Sequence, residues 1–270
     1  MIRGCMKYFI VSDVHSYYSI LRRTLDEKGF SLNKDHILVL LGDAFDRGEE
    51  TRETAEFLFS LHDQGKLIYV LGNHEELLIK CLQQLARGDD PIDLATSYHS
   101  LNGTWQSLIA LANMSEAEAI AHPQTVVSNF VSSRVYKDLL ASCVDYLETD
   151  RYIFTHGFIP CVEKGFSPYV TYSYNPDWRE AAPEEWYRAR WYNGVKIAVE
   201  SNVREAQKTI VCGHWHTSAF HAKYEKKGSE WGSDADFTPF YSKDGAVVGI
   251  DACTASSQTI NCLVYDEEDL

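Results

Sequence analysis

With 270 residues, 45% hydrophobic and 24% charged, the chain has the balance of a folded globular protein and not of a disordered one. At that length about three-quarters of the unfolded surface is buried on folding, so neither disulfides nor a structural metal are needed to hold a fold. Asp and Glu outnumber Lys and Arg by 39 to 25, a net charge of −14, which speaks against a protein that mainly grips nucleic-acid phosphates. Phosphorylated substrates stay open, because bound divalent cations reverse the local field.

The opening residues MIRGCMKYFIV run straight into a short apolar strand, with neither the longer apolar region nor the cleavage site of a signal peptide. Met6 is a plausible alternative start. A strand is expected over 8–12, then a helix over 19–28 with Ile20, Leu21, Thr24 and Leu25 at helical spacing. A second strand at 36–41 contains the longest apolar run, 37–41, far short of the ~20 residues of a membrane span. A helix over 51–62, a strand over 66–71 and a helix over 75–85 repeat the period of an α/β layer protein. From 87 to 142 the pattern turns helical and polar, with a capped start at Ser115–Glu118 and Pro123 ending one helix or opening the next. This stretch reads as a helical insertion covering one edge of the sheet. A strand follows at 152–155. The segment 166–183, with three prolines, is too irregular for a regular element. A helix over 184–203, a strand over 209–212, a long polar loop over 219–239 and strands over 240–265 with a turn at Lys243-Asp244-Gly245 complete the chain. The seven cysteines are odd in number and scattered without a C-x-x-C pair, which predicts a reduced, cytoplasmic protein.

Potential metal ligands collect just past the strands. Asp13 and His15 follow the first, Asp43 and Asp46 the second, and Asn73, His74 and Glu75 the third; His156 follows the fourth, and His214 and His216 the fifth. Singly, such an Asp is more often a helix N-cap and such a His a surface residue. Five successive strand ends carrying them outweigh that reading, since in layered α/β proteins these ends line one crevice. Carboxylates, imidazoles and an amide oxygen without thiolate suit a first-row divalent ion, and this many donors suit two.

In their order, D-x-H (Asp13, His15), G-D-x-x-D-R-G (42–48), G-N-H-E (72–75), H-G (156–157) and G-H (213–214) resemble the calcineurin-like metallophosphoesterases, phosphoprotein phosphatase branch. The motifs span Asp13 to His216. The resemblance implies a four-layer αββα sandwich, two central mixed sheets flanked by helices, forming a single domain over 1–270 with the insertion at about 87–142. It implies a dinuclear centre with Asp13 and His15 on the first ion, Asp43 bridging, and Asn73, His156 and His214 on the second. His216, from the G-H-x-H variant, would complete the first ion's shell; on an extended strand end it would project to the same side as His214, with Trp215 pointing inward. His74 oriented by Asp46 resembles a general acid dyad, and Arg47 a phosphate clamp.

Two divalent ions, Mn²⁺ first with Fe or Zn feasible, would generate a hydroxide that attacks phosphorus directly. A second cationic phosphate ligand is expected from WYRARWYNG, Arg190 in preference to Arg188, against the reading that both lie on a helix's polar face. Trp191, Tyr192 and Trp215 are read as core ahead of pocket wall. The leading expectation is hydrolysis of phosphoserine or phosphothreonine in a phosphorylated protein, or of small phosphate esters. THGFIP and DACTASS replace the H-G-G and S-A-P-N-Y of eukaryotic protein phosphatases, and HGFIP resembles the symmetrical dinucleoside tetraphosphate hydrolases, which form the alternative. A metal-dependent binding module without turnover is a third reading, opposed by the intact His74, Asp46 and Arg47. No membrane partner is expected.

Overall fold

In the computed structural model, which describes residues 6–165 and 170–270, strands and helices alternate through the first third of the chain. They run β1 (Lys7–Val11), α1 (Tyr18–Glu27), β2 (His36–Leu41), α2 (Thr51–His62), β3 (Leu67–Val70) and α3 (Asn73–Arg87). A helical stretch follows as α4 (Pro91–Thr96), α5 (Tyr98–Leu101), α6 (Thr104–Leu111), α7 (Glu116–Ala121) and α8 (Pro123–Ser132), closed by tighter and wider turns over 135–142. Next come β4 (Tyr146–Glu148), β5 (Tyr152–Thr155), β6 (Cys161–Lys164), β7 (Thr171–Tyr174), α9 (Pro183–Ala189), α10 (Gly194–Glu200) and β8 (Thr209–Cys212). The chain ends with α11 (Thr217–Phe220), β9 (Phe240–Tyr241), β10 (Val247–Gly249), α12 (Thr254–Ser257) and β11 (Leu263–Asp266).

Two mixed sheets form. The first has the order β11-β1-β2-β3, with β1, β2 and β3 parallel and β11 antiparallel on the edge. The second has the order β4-β5-β8-β10-β9, parallel at β5, β8 and β10 with antiparallel edges. Strand periodicity explains how they stack. Ile10, Val39, Leu41 and Val70 of the first sheet meet Phe154, Val211 and Val248 of the second in one buried cluster. Alternate residues Phe9, Val11, Leu38 and Leu40 turn outward to α1, α2 and α3, while Ile153, Ile210, Cys212 and Val247 face α9 and α10. Both faces of each sheet are therefore covered, which is why these strands read as continuous apolar runs. The result is the expected helix–sheet–sheet–helix sandwich.

Several local expectations are corrected. The helices of 91–132 pack on α2 and α3 through Trp105, Leu108, Val126 and Phe130, and so form an outer layer over the helices instead of covering a sheet edge. The helix expected over 184–203 breaks at Arg190–Asn193, where the Asn193 side chain accepts from the Lys196 amide and starts α10 afresh. In the segment 166–183, residues 166–169 lie outside the described residues, and Thr171–Tyr174 form a strand paired with Cys161–Lys164. The loop of 219–239 contains the end of α11 and a wide helical turn over His221–Glu225. Within 240–265, α12 interrupts the strands. Among the described residues no helix is long and apolar enough to cross a membrane.

Candidate metal centre

The parallel strands of both sheets end at one crevice, and the loops there are unusually contorted. Asp13, His15, Asp43, Asp46, Arg47 and His214 all have positive φ, between 50° and 77°. Such backbone costs of order 1–3 kcal/mol per residue and persists only where its surroundings over-determine it. Here the loops hold one another: the amide of Asp13 donates to Gly42 O (3.2 Å), that of His15 to Asp43 O (2.9 Å), and that of Gly213 to His156 O (2.8 Å). Glu75 is the central brace. Its buried carboxylate accepts from the amides of Asp43, Ala44 and Gly72, each at 2.9 Å, and from Tyr69 Oη at 2.7 Å. Glycines are demanded where a side chain would enter the crevice: a Cβ on Gly72 would lie 2.3 Å from Asp43 Oδ1, and one on Gly213 2.3 Å from Asp13 Oδ2.

Asp43 is the hub of the cluster. One group of donors joins it to His15 and His74, another to His156 and His214, each group with ligand atoms within 4.8 Å of one another. His156 Nδ1 donates to Leu41 O at 2.7 Å, which leaves Nε2 as the ring atom turned to the crevice. Nε2 faces Asn73 Oδ1 at 2.7 Å and Asp43 Oδ1 at 3.4 Å. Nε2 thus converges with an amide oxygen and a carboxylate oxygen, a donor set that could hold a cation. His15 repeats the pattern: Nδ1 donates to Phe45 O at 3.0 Å and leaves Nε2 turned to Asp43 Oδ2 at 3.7 Å. The electrostatics agree. Burial holds the His15 imidazole well below its usual range, helped by Arg47 and His74. Burial, with His156 beside it, brings His214 down to about 3. Both are therefore neutral and fit to bind metal. Burial, then the nearby Asp251 and Asp43, raises the Asp13 carboxyl well above the carboxylate range. Asp13 lies against the same crevice and accepts from the His214 amide at 3.0 Å.

The structure brings His74 and Asp46 together. His74 Nδ1 donates to Asp46 Oδ2 at 2.7 Å, both residues being buried. Arg47 Nη2 lies 3.4 Å from His74 Nε2, so the guanidinium stands at the same opening.

Two other residues do not join the cluster. His214 is left-handed, so the chain turns there and the two-residue alternation fails. His216 Nδ1 instead lies 2.9 Å from Ser218 Oγ, its Nε2 faces Glu230 Oε1 at 3.5 Å, and its ring packs on Trp231. Trp215 consequently points outward, 39% exposed. Arg190 is buried at the end of α9, its two terminal nitrogens committed to Glu76 and Asp145. Burial pushes the Glu76 carboxyl up, to about 7, against the pull of Arg190. Arg188 is half-exposed and pairs with Glu163 at 3.2 Å. Of the aromatics, Tyr192 is core, as expected.

Sequence reasoning did not single out Asp251, which follows β10 as the candidate ligands follow their strands, nor Thr104 and Ser107, which reach Asp46 from α6. The strand-end position was the available signal for Asp251; nothing local marks the other two.

Comparison with known proteins agrees with this geometry. The profile of the family described as calcineurin-like phosphoesterase matches residues 6–248. The symmetrical bis(5'-nucleosyl)-tetraphosphatase of Pseudomonas fluorescens (strain SBW25) is 37% identical over 87 residues, 31% of this chain and 30% of the relative. The asymmetrical bis(5'-nucleosyl)-tetraphosphatase PrpE of Bacillus subtilis (strain 168) is 29% identical over 29% of this chain and 35% of its own. These alignments span about a third of the curated relatives. Among solved structures, the cold-active protein-tyrosine phosphatase of a psychrophilic Shewanella superposes with a TM-score of 0.55 at 17% identity, over 98% of this chain and 76% of that one, a likeness of fold.

Proposed function

The chain belongs to the calcineurin-like phosphoesterase family, and from that premise we propose that it hydrolyses phosphoric esters or anhydrides at a two-metal site. The carrying observation is Asp43, whose two carboxylate oxygens face separate groups of imidazoles. Asp13, His15 and Asp43 would hold one ion, and Asp43, Asn73, His156 and His214 the other. Their oxygen and nitrogen donors suit Mn²⁺ first, with Fe or Zn feasible. Bound there, two divalent ions would supply charge neutralisation of phosphoryl oxygens and acidification of water.

The chain's own residues then supply the remaining chemistry. Arg47 offers a planar fork to the phosphoryl oxygens that a lysine would not match. His74 holds a proton at Nε2 and delivers it to the leaving oxygen, while Asp46 fixes the ring and stabilises its charged form. Burial works against that charge, but Asp43 and Asp46 outweigh it and raise the His74 imidazole above its ordinary value. Arg190 is set aside as a phosphate ligand because both its terminal nitrogens are already paired with carboxylates.

For substrate, the curated relatives, symmetrical and asymmetrical bis(5'-nucleosyl)-tetraphosphatases alike, favour a bis(5'-nucleosyl) polyphosphate over the phosphoserine or phosphothreonine first expected. A phosphomonoester is the second reading, favoured by the His74–Asp46 dyad, since an alkoxide leaving group needs a proton more than a nucleotide phosphate does. The test is hydrolysis of bis(5'-nucleosyl) tetraphosphates, phosphopeptides and mononucleotides by purified protein with Mn²⁺, products resolved by chromatography. Preferential hydrolysis of the tetraphosphates supports the first reading, with nucleoside diphosphates as the products of symmetrical cleavage and a mononucleotide plus a triphosphate those of asymmetrical cleavage. Faster phosphate release from phosphopeptides reverses the order of the two, and no metal-dependent hydrolysis of any member ends both.

A further inference from the structure

The helical stretch of 91–132 does more than cover α2 and α3: it enters the catalytic turn. Thr104 is wholly buried at the first position of α6, and its hydroxyl donates to Asp46 Oδ2 at 2.6 Å, the same oxygen that receives His74 Nδ1. Ser107, one turn further along α6, accepts from the Asp46 amide at 2.9 Å. The Arg47 amide donates to Asn102 O at 3.1 Å, and a Cβ on Gly103 would lie 2.3 Å from that same amide nitrogen. Asp46 and Arg47 are consecutive residues at φ 77° and 61°, so this contact is what keeps a costly turn in place.

The two oxygens of Asp46 are unequal. Oδ2 takes both donors, whereas Oδ1 is buried with no partner among the described residues. Rotation of the carboxylate is thus governed by two donors on one atom: the imidazole it must steer, and the Thr104 hydroxyl. Without the hydroxyl, only the ring itself would fix the group that is meant to fix the ring.

We propose that Thr104 is a positioning residue for proton transfer by His74, setting the Asp46 carboxylate from the inserted helix α6; this rests on the reading of His74 as the proton donor. The dyad is therefore a three-member chain, and the insertion is part of the site.

The experiment compares phenyl and p-nitrophenyl phosphate with Mn²⁺. The phenolate of the first needs a proton, being about as basic as tyrosinate, and the second leaves without one. For Thr104→Val, the fall in kcat on phenyl phosphate should exceed that on p-nitrophenyl phosphate about tenfold, with KM little changed, and Thr104→Ser should restore the ratio. In metal-free protein the low-field ¹H NMR signal of the His74 Nδ1 proton, identified by its loss in His74→Gln, should move in Thr104→Val and return in Thr104→Ser. Thr104→Ala serves in both measurements if the valine variant does not fold. Equal losses on the two esters, or an unmoved resonance, overturn the proposal. A wild-type protein inert toward both esters would refute the phosphomonoester reading and leave the anhydride reading standing, while the resonance still decides the role of Thr104.

Discussion

Asp43 carries charge to both candidate ions, so its loss should be felt twice. Asp43→Asn is expected to leave less than one metal equivalent bound after dialysis in dilute Mn²⁺, against two for the wild type, by elemental analysis; two retained equivalents would remove it from the bridging position. His216→Ala should keep both, because its nitrogens face Ser218 and Glu230. Arg47→Ala should weaken inhibition by inorganic phosphate roughly ten- to hundredfold, the worth of a charge-assisted contact of about 1.5–3 kcal/mol. An unchanged inhibition constant would exclude Arg47 from substrate. Which residues approach Asp43 was largely legible from the sequence, since a donor placed immediately after a parallel strand can point to only one end of the sheet. What failed was any inference needing a backbone direction. The reading of His216 assumed an extended chain through 214–216, and the positive φ of His214 turns it aside. The expectation for Arg190 rests on its neighbours in sequence, but Glu76 and Asp145, distant in sequence, claim its terminal nitrogens.

Elements were legible where one strong signal fixed them. The strand at 36–41 and the helix at 51–62 appear at those bounds, because an apolar run buried on both faces and an amphipathic repeat have no competing reading. The helix at 75–85 begins earlier, at Asn73, because Glu75 reaches back to the Gly72 amide and places Asn73 and His74 in the first turn. The short β7 was missed because its pairing with β6 is a tertiary event with little propensity behind it. One junction between elements is testable by pH. Glu148 on β4 receives Arg179 at 2.6 and 2.8 Å and Lys208, just before β8, at 2.8 Å. The Arg179 hydrogen bonds, with Lys208, hold its carboxyl at about 2, against 4.5 for a free glutamate. A depressed carboxyl binds its proton less readily in the folded state. Its stabilisation is therefore complete above pH 4.5 and is lost as pH falls from there to about 2. The urea midpoint of the wild type should exceed that of Glu148→Gln by an amount that is constant above pH 5 and shrinks toward pH 2. A difference independent of pH would show that the pair does not report this titration.

At the scale of the whole molecule, the crevice is where the two sheets depend on each other. Loops after β1, β2 and β3 bring Asp13, His15, Asp43 and Asn73; loops after β5 and β8 bring His156 and His214. In a chain of net charge −14, Asp13, Asp43 and Asp251 are buried close together, and burial with mutual repulsion raises the Asp13 and Asp251 carboxyls. Cations bound among them would relieve that repulsion and tie one sheet to the other. Unfolding separates the loops, so the ions bind the native state preferentially and must stabilise it by mass action. At a hundred times its dissociation constant a ligand contributes about 2.7 kcal/mol per site. For a chain of this length each kcal/mol moves the melting temperature by about 2–4 °C, which gives a rise of roughly 5–10 °C for one site. Chelator-treated protein titrated with Mn²⁺ should show that rise, continuing with the logarithm of Mn²⁺ concentration, in differential scanning fluorimetry or calorimetry. Asp43→Asn should respond far less, because the residue that joins the two groups of imidazoles is the one removed. A melting temperature indifferent to Mn²⁺ up to millimolar concentration would mean that the converging ring nitrogens of His15 and His156 do not form a metal site.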